Sequence, residues 1–159
     1  MGKIYTKKGD KGETGTFHGR ISKSDQLAIA LGTIDELNTW IGVCGENKEL
    51  HRIQTNLMTI NSILACSKVQ RFRGSETTRL EKLIDKLTLE LPELKNFIYP
   101  VGFLQVARAV CRRAEREIVK LEIKEKNILK YINRLSDALF VIARFVNFQN
   151  NVPEEVWKI

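Results

Sequence analysis

Cysteine is scarce: Cys44, Cys66 and Cys111 form an odd set with no CxxC spacing. That argues against a disulfide framework or a structural zinc site and fits reduced thiols inside apolar helical stretches. The two histidines, His18 and His51, are isolated from each other and from carboxylates at ligand spacing, which argues against a transition-metal site. No run approaches the roughly 18 apolar residues of a membrane span, and Met1-Gly2-Lys3-Ile4-Tyr5 has no apolar signal core, so the expected address is cytoplasmic, without a membrane partner. Neither a Walker A sequence nor GxGxxG occurs, which removes support for both common nucleotide folds. Repeats, low-complexity tracts and interdomain linkers are also missing.

What is present fits one domain. The 159 residues, 43% of them hydrophobic, suffice for one continuous core. With 26 Lys+Arg against 19 Asp+Glu, the net charge of +7 calls for an anionic partner without choosing among nucleotide, nucleic acid and acidic lipid. Residues 1–24 carry Gly9, Gly12, Gly15 and Gly19 and read as a loop. From Asp25 the spacing of Leu27, Leu31, Ile34, Leu37 and Ile41 predicts a first helix, with Ser24 or Asp25 as its cap. Further helices are predicted over 50–69, 75–91, 103–123 and 126–148, with an extended connection at 97–102. The fold class is therefore all-α, a bundle of five helices over residues 25–150, with the loop of 1–24 ahead of it. The tail of 151–159 is expected to return through Val156, Trp157 and Ile159 to the body or to a neighbouring subunit.

Three segments concentrate chemistry. Thr6, Lys8, Gly9, Asp10, Lys11, Gly12 and Thr14 combine exposed backbone amides, ammonium groups and hydroxyls, which a polyphosphate requires. By itself the same segment also reads as a flexible basic N-terminus. In the fourth helix Arg108, Arg112 and Glu115 share one stripe, with Arg116 beside them; a desolvated arginine there seeks a carboxylate or phosphate, and a solvated basic face is the alternative. In the fifth helix Asn133 and Asp137 lie one turn apart in a largely apolar run, while Arg134 and Arg144 read as structural. Asp35, in the first helix, is a natural mate for an arginine of another helix or chain.

Taken in order, these segments resemble the PduO-type ATP:cob(I)alamin adenosyltransferases. The resemblance runs through Thr6 to Thr14, Gly19-Arg20-Ile21-Ser22-Lys23, Gly32-Thr33-Ile34-Asp35-Glu36-Leu37-Asn38, Phe97-Ile98-Tyr99-Pro100, Ala107 to Arg116, and Tyr131 to Asp137. It implies a homotrimer of five-helix bundles that moves the adenosyl group of ATP onto cob(I)alamin, the second substrate. The loop and Lys23 of one chain would hold ATP against Arg112, Glu115, Arg116 and Asn133 of its neighbour, with Glu115 helping to place Mg²⁺. Asp35 and Arg108 would bridge the subunits. Phe97 would fill the lower side of the corrin and ease reduction of Co(II) to Co(I), and a reductase and an adenosylcobalamin-dependent acceptor enzyme would be partners.

Two departures stand out. The passage from Pro100 through Val101-Gly102-Phe103 is shorter than the family's glycine-rich stretch, and Gln105 stands where a histidine is usual. They leave a second reading, a trimeric ATP-binding regulator or scaffold without transferase activity. A basic nucleic-acid-binding protein is a third, disfavoured by the lack of an aromatic stacking platform.

Overall fold

The computed structural model describes residues 3–65 and 71–158. A hairpin of β1 (Glu13–Thr16) and β2 (Gly19–Ser22) precedes five helices: α1 (Gln26–Val43), α2 (Lys48–Leu64), α3 (Ser75–Thr88), α4 (Phe103–Val119) and α5 (Lys126–Gln149). Local chemistry starts the first two helices. The Asp25 carboxylate accepts the Leu27 N–H at 2.8 Å, and the Asn47 side chain accepts the Glu49 N–H at 2.8 Å, satisfying donors that an uncapped helix leaves orphaned.

Helix α4 is central, packed between α1 and α5, with α2 outside α1 and α3 outside α5. Its inner face is lined by the small, fully buried Ala107, Cys111 and Ala114, which let its neighbours approach closely. Ile34, Leu37 and Ile41 of α1 and Ile132, Leu135 and Leu139 of α5 join the same core. Tyr131 is buried edge-on to Phe72, its hydroxyl held by Asn56 at 3.0 Å; burial pushes this phenol and the Cys111 thiol upward, so both stay neutral. Among the described residues no helix is long and apolar enough to cross a membrane.

The sequence expectations need four adjustments. The segment read wholly as loop contains the hairpin, because Gly19, at φ 125°, closes the turn while Thr14 and Ile21 pair across the ribbon. Helix α2 ends at Leu64, and residues 66–69 of its expected span, Cys66 included, lie outside the described residues. Helix α3 stops at Thr88 rather than Leu91: its last turn tightens into Glu90 N–H to Leu87 O and Leu91 N–H to Thr88 O bonds ahead of Pro92, which disfavours helix in the residue before it. Helix α4 stops at Val119 because Glu122 adopts a left-handed φ of 48°.

The tail returns to the body as expected. Ile98 and Val156 form an antiparallel bridge, flanked by Tyr99 N–H to Glu155 O and Trp157 N–H to Phe97 O bonds, each 2.9 Å. The outcome for Ile159 lies outside the described residues.

Candidate functional site

The N-terminal half of the candidate site is a compact curl. The Gly12 N–H bonds Gly9 O at 3.2 Å, and the Lys23 N–H bonds Gly12 O at 2.8 Å, so the chain end of the hairpin is pinned to the glycine turn. Gly12 has φ 80°, a conformation that costs a side-chain-bearing residue about 1 kcal/mol or more. The Lys23 ammonium lies so close to Gly9 that a β-carbon placed there would sit 3.4 Å from it. Arg20 ties the outer edge, bonding Glu13 at 2.9 Å and also the carbonyl of Lys8. The Thr6 hydroxyl oxygen accepts the Lys8 N–H at 3.4 Å. Thr6, Lys8, Asp10 and Lys11 face solvent and Thr14 is half-buried on β1. The structure thus brings the Lys23 ammonium beside the turn of Gly9 and Gly12, with Lys8 and Lys11 on the exposed surface of the same segment. Arg20's tie was not singled out, although its place diagonal to Glu13 in the hairpin register is a signal for it.

The second half lies between α4 and α5. Asn133 donates from Nδ2 to Glu115 Oε1 at 2.8 Å, leaving the other carboxylate oxygen available as an acceptor. Arg112 and Arg116, on the same helix as Glu115, are exposed. Arg108 is half-buried, its Nε donating to Gln105 Oε1 at 2.7 Å and its guanidinium 6.0 Å from the centre of the Phe140 ring. Asp137 is taken up by Arg134, which also bonds Glu81. Ser136 turns back to the Asn133 carbonyl.

A contrast in pairing separates these cations from their neighbours. Arg113 pairs with Glu36, Arg134 with Glu81 and Asp137, and Arg144 with Glu154, whereas no carboxylate among the described residues lies within ion-pair distance of Arg108, Arg112 or Arg116 in the protomer. Asp35 is exposed on α1 and likewise has no ion-pair mate among the described residues. It is the adjacent Glu36 that meets α4 within the protomer, a distinction that residue spacing did not reveal.

The two halves are not joined by any hydrogen bond or ion pair among the described residues. The start of α1, which follows the hairpin, is instead fastened to the last turn of α4, where Gln26 Nε2 bonds both the carbonyl and the carboxylate of Glu117. Those bonds, with help from Lys120, hold the Glu117 carboxyl below the usual carboxylate range. Ile4, Tyr5 and Phe17 around the curl are strongly exposed, a costly arrangement unless another surface covers them.

At the opposite end of α4, Phe97 is 78% exposed and meets Trp157 edge-on at 6.5 Å. At the entrance to α4 a cleft of about 520 Å³ is lined by Pro100, Gly102, Phe103, Gln105, Val106 and Arg108. The short passage into α4 is possible because Gly102 adopts φ 92°, while Asn147 Nδ2 bonds Val101 O at 3.2 Å and Phe103 stacks on Trp40. An apolar wall with one guanidinium and one amide suits a large ligand with a mostly apolar face.

Among the described residues no cluster of three His, Cys, Asp or Glu can cage a metal. The Glu115 carboxylate is by itself suited to Mg²⁺, which takes one or two protein carboxylates and fills its other positions with waters and phosphates.

Comparison with known proteins points the same way. The family model described as cobalamin adenosyltransferase matches residues 4–146. The human corrinoid adenosyltransferase MMAB is 41% identical over 182 residues, spanning 98% of this chain and 73% of its own. The Bacillus subtilis corrinoid adenosyltransferase is 40% identical over 174 residues, with 96% of this chain and 90% of its own covered. Among solved structures, a variant PduO-type ATP:corrinoid adenosyltransferase from Lactobacillus reuteri, complexed with cobalamin and ATP, superposes with a TM-score of 0.89 at 36% identity, covering 99% of this chain and all of that one.

Proposed function

Because this chain belongs to the cobalamin adenosyltransferase family, we propose that its active site assembles where two copies meet, one supplying the N-terminal curl and the other the α4–α5 stripe. The protein is an ATP:cob(I)alamin adenosyltransferase: it transfers the 5′-deoxyadenosyl group of ATP to cob(I)alamin, forming adenosylcobalamin and releasing triphosphate. The observation that carries the shared site is the lack, among the described residues, of carboxylate partners for Arg108, Arg112 and Arg116 in a bundle whose adjacent arginines are paired.

In this reading residues 1–24 are the nucleotide-binding part of one domain whose bundle spans 25–150, and the assembly is a homotrimer. The backbone amides around Gly9 and Gly12, the Thr6 and Thr14 hydroxyls, and Lys8, Lys11 and Lys23 neutralise and orient the triphosphate, with Asp10 closing the turn through its N–H to Lys7 O. Arg112 and Arg116 of the neighbouring copy meet it from the other side. Glu115, steadied by Asn133, would hold Mg²⁺, which supplies further neutralisation of the phosphates. Asp35 reaches Arg108 across the contact, and Phe97 occupies the lower side of the corrin.

The reaction needs no nucleophile from the protein. Co(I) donates its electron pair to the ribose 5′ carbon, the carbon–oxygen bond breaks, and triphosphate departs with that bond's electrons. The side chains align the reacting centres, exclude water and stabilise charge growing on the leaving group. A reductase that supplies the electron for Co(II), an acceptor enzyme that takes the product, and a cytoplasmic setting compatible with the free Cys44 and Cys111 complete the proposal.

The test mixes the protein with ATP, Mg²⁺ and cobalamin reduced to Co(I) and follows the light-sensitive cobalt–carbon bond by absorbance. Product should form in proportion to enzyme. Paired inactive copies, one lacking Arg112 and the other lacking Lys11 and Lys23, should recover part of the activity on mixing; no recovery from subunits shown to exchange would reject the shared site.

A further inference from the structure

Gln105 is a polar residue at a buried position. It is only 5% exposed, flanked along α4 by the buried Leu104 and Ala107, and it lines the apolar cleft at the entrance to that helix. Burying an amide is unfavourable unless it makes a hydrogen bond that matters. The bond it makes is to Arg108, Nε to Oε1 at 2.7 Å. A guanidinium has five donors and no acceptor, so the amide must present its oxygen here, and the orientation of Gln105 is settled by its partner.

We propose that Gln105 is a positioning residue for Arg108: it occupies Nε so that the two terminal nitrogens face outward as an end-on fork for the Asp35 carboxylate of a second copy. A carboxylate can approach a guanidinium side-on, through Nε and one terminal nitrogen, or end-on through both terminal nitrogens. With Nε already engaged, and the Phe140 ring 6.0 Å from the guanidinium, the end-on approach is the one left open. An unheld arginine would pay rotamer entropy each time the subunits met. Gln105 removes part of that cost beforehand, at the edge of the cleft. The inference rests on the reading of Asp35 and Arg108 as an intersubunit pair.

The experiment is a set of double-mutant cycles on the full chain, read by trimer dissociation in sedimentation velocity and by kcat/KM for cob(I)alamin. Gln105→Met keeps volume and removes the acceptor. Assembly or kcat/KM should weaken about tenfold, the scale of one hydrogen bond to a charged group, with the helical signal retained. Gln105→His, assayed at pH 8 where its imidazole is neutral and supplies an acceptor nitrogen, should recover most of that loss. In an Arg108→Ala background Gln105→Met should add nothing. A Gln105→Met protein equal to wild type, or one with the same loss in the Arg108→Ala background, overturns the positioning role and reduces Gln105 to packing. If Gln105→Met does not fold, Gln105→His alone decides the matter: near-wild-type assembly supports the role, and a tenfold loss at pH 8 overturns it. The underlying reading has its own cycle: Asp35→Ala and Arg108→Ala should be non-additive, and additivity overturns the intersubunit pair whatever Gln105 does.

Discussion

Arg144 of α5 and Glu154 of the tail form a two-point ion pair, Nε to Oε1 at 2.6 Å and Nη2 to Oε2 at 3.0 Å, with the arginine side chain only 5% exposed. The same Nη2 also donates to the Pro92 carbonyl at 2.9 Å. One side chain thus clamps both segments that meet in the Ile98–Val156 bridge, and the exposed Phe97 is carried on that bridge.

Removing the carboxylate should therefore cost more than an ordinary surface change. Glu154→Ala leaves a buried cation with one carbonyl for company, and a loss of roughly 3 kcal/mol is expected. Urea unfolding monitored by circular dichroism measures it. Arg144→Met, which removes the charge and refills the volume, should cost clearly less; equal losses would show that the clamp contributes only packing.

At the entrance to α4, Gly102 combines φ 92° with ψ 165°, a region essentially confined to glycine. A β-carbon there meets nothing nearer than Asn147 Oδ1 at 3.7 Å, so the obstacle to substitution is backbone strain and not collision. Gly102→Ala should destabilise the fold by about 1–3 kcal/mol. Because the strain sits beside the cleft, KM for cob(I)alamin should rise while KM for ATP changes little; steady-state kinetics with each substrate varied checks this.

Arg112 has no ion-pair mate to lose among the described residues of the protomer. Arg112→Ala should consequently fold and assemble like wild type while kcat falls about 10²–10³-fold, the usual effect of deleting one donor from a charge-stabilising site. Arg112→Lys should fall between, since an ammonium keeps the charge but not the planar fork. Normal turnover in Arg112→Ala would remove it from the triphosphate site.

Acid sensitivity should trace partly to Glu76. Its carboxyl is held below the ordinary range first by the Arg52 hydrogen bond, opposed by burial and helped by Asn56. A depressed folded-state pKa stabilises the protein fully above the unfolded value of about 4.3, and that contribution disappears as pH falls through the folded value. Glu76→Gln should be less stable than wild type at pH 7 and converge with it only as pH falls through the lowered folded-state value, as measured by thermal unfolding over a pH series.

Much of this molecule was legible in the residue order. The five apolar stripes correspond to five helices, Asp25 is readable as a cap, and the loop, the α4 cations and Asn133 stand out by residue type alone. Helix ends were less legible, because they depend on backbone events such as the left-handed Glu122 or the turn before Pro92 rather than on a repeating pattern. The hairpin was missed because its strands are short and half of its signal is glycine, which local propensity scores as loop. Gln105 was noticed only as a departure, since nothing in its neighbours' identity reveals that its oxygen meets the Arg108 Nε one turn away.

The amino-acid order alone determined the helical bundle and the inventory of groups for a polyphosphate, because hydrophobic periodicity and side-chain chemistry are properties of neighbours along the chain. Tertiary structure decided which of those groups are spoken for. Glu36 takes Arg113, Glu154 takes Arg144, and Glu115 takes Asn133, while Arg108, Arg112, Arg116 and Asp35 find no ion-pair mate among the described residues of the protomer. Ion pairing falls off within a few ångströms and depends on which helix faces meet, so only the packed bundle could separate cations that hold the fold from cations left for a ligand.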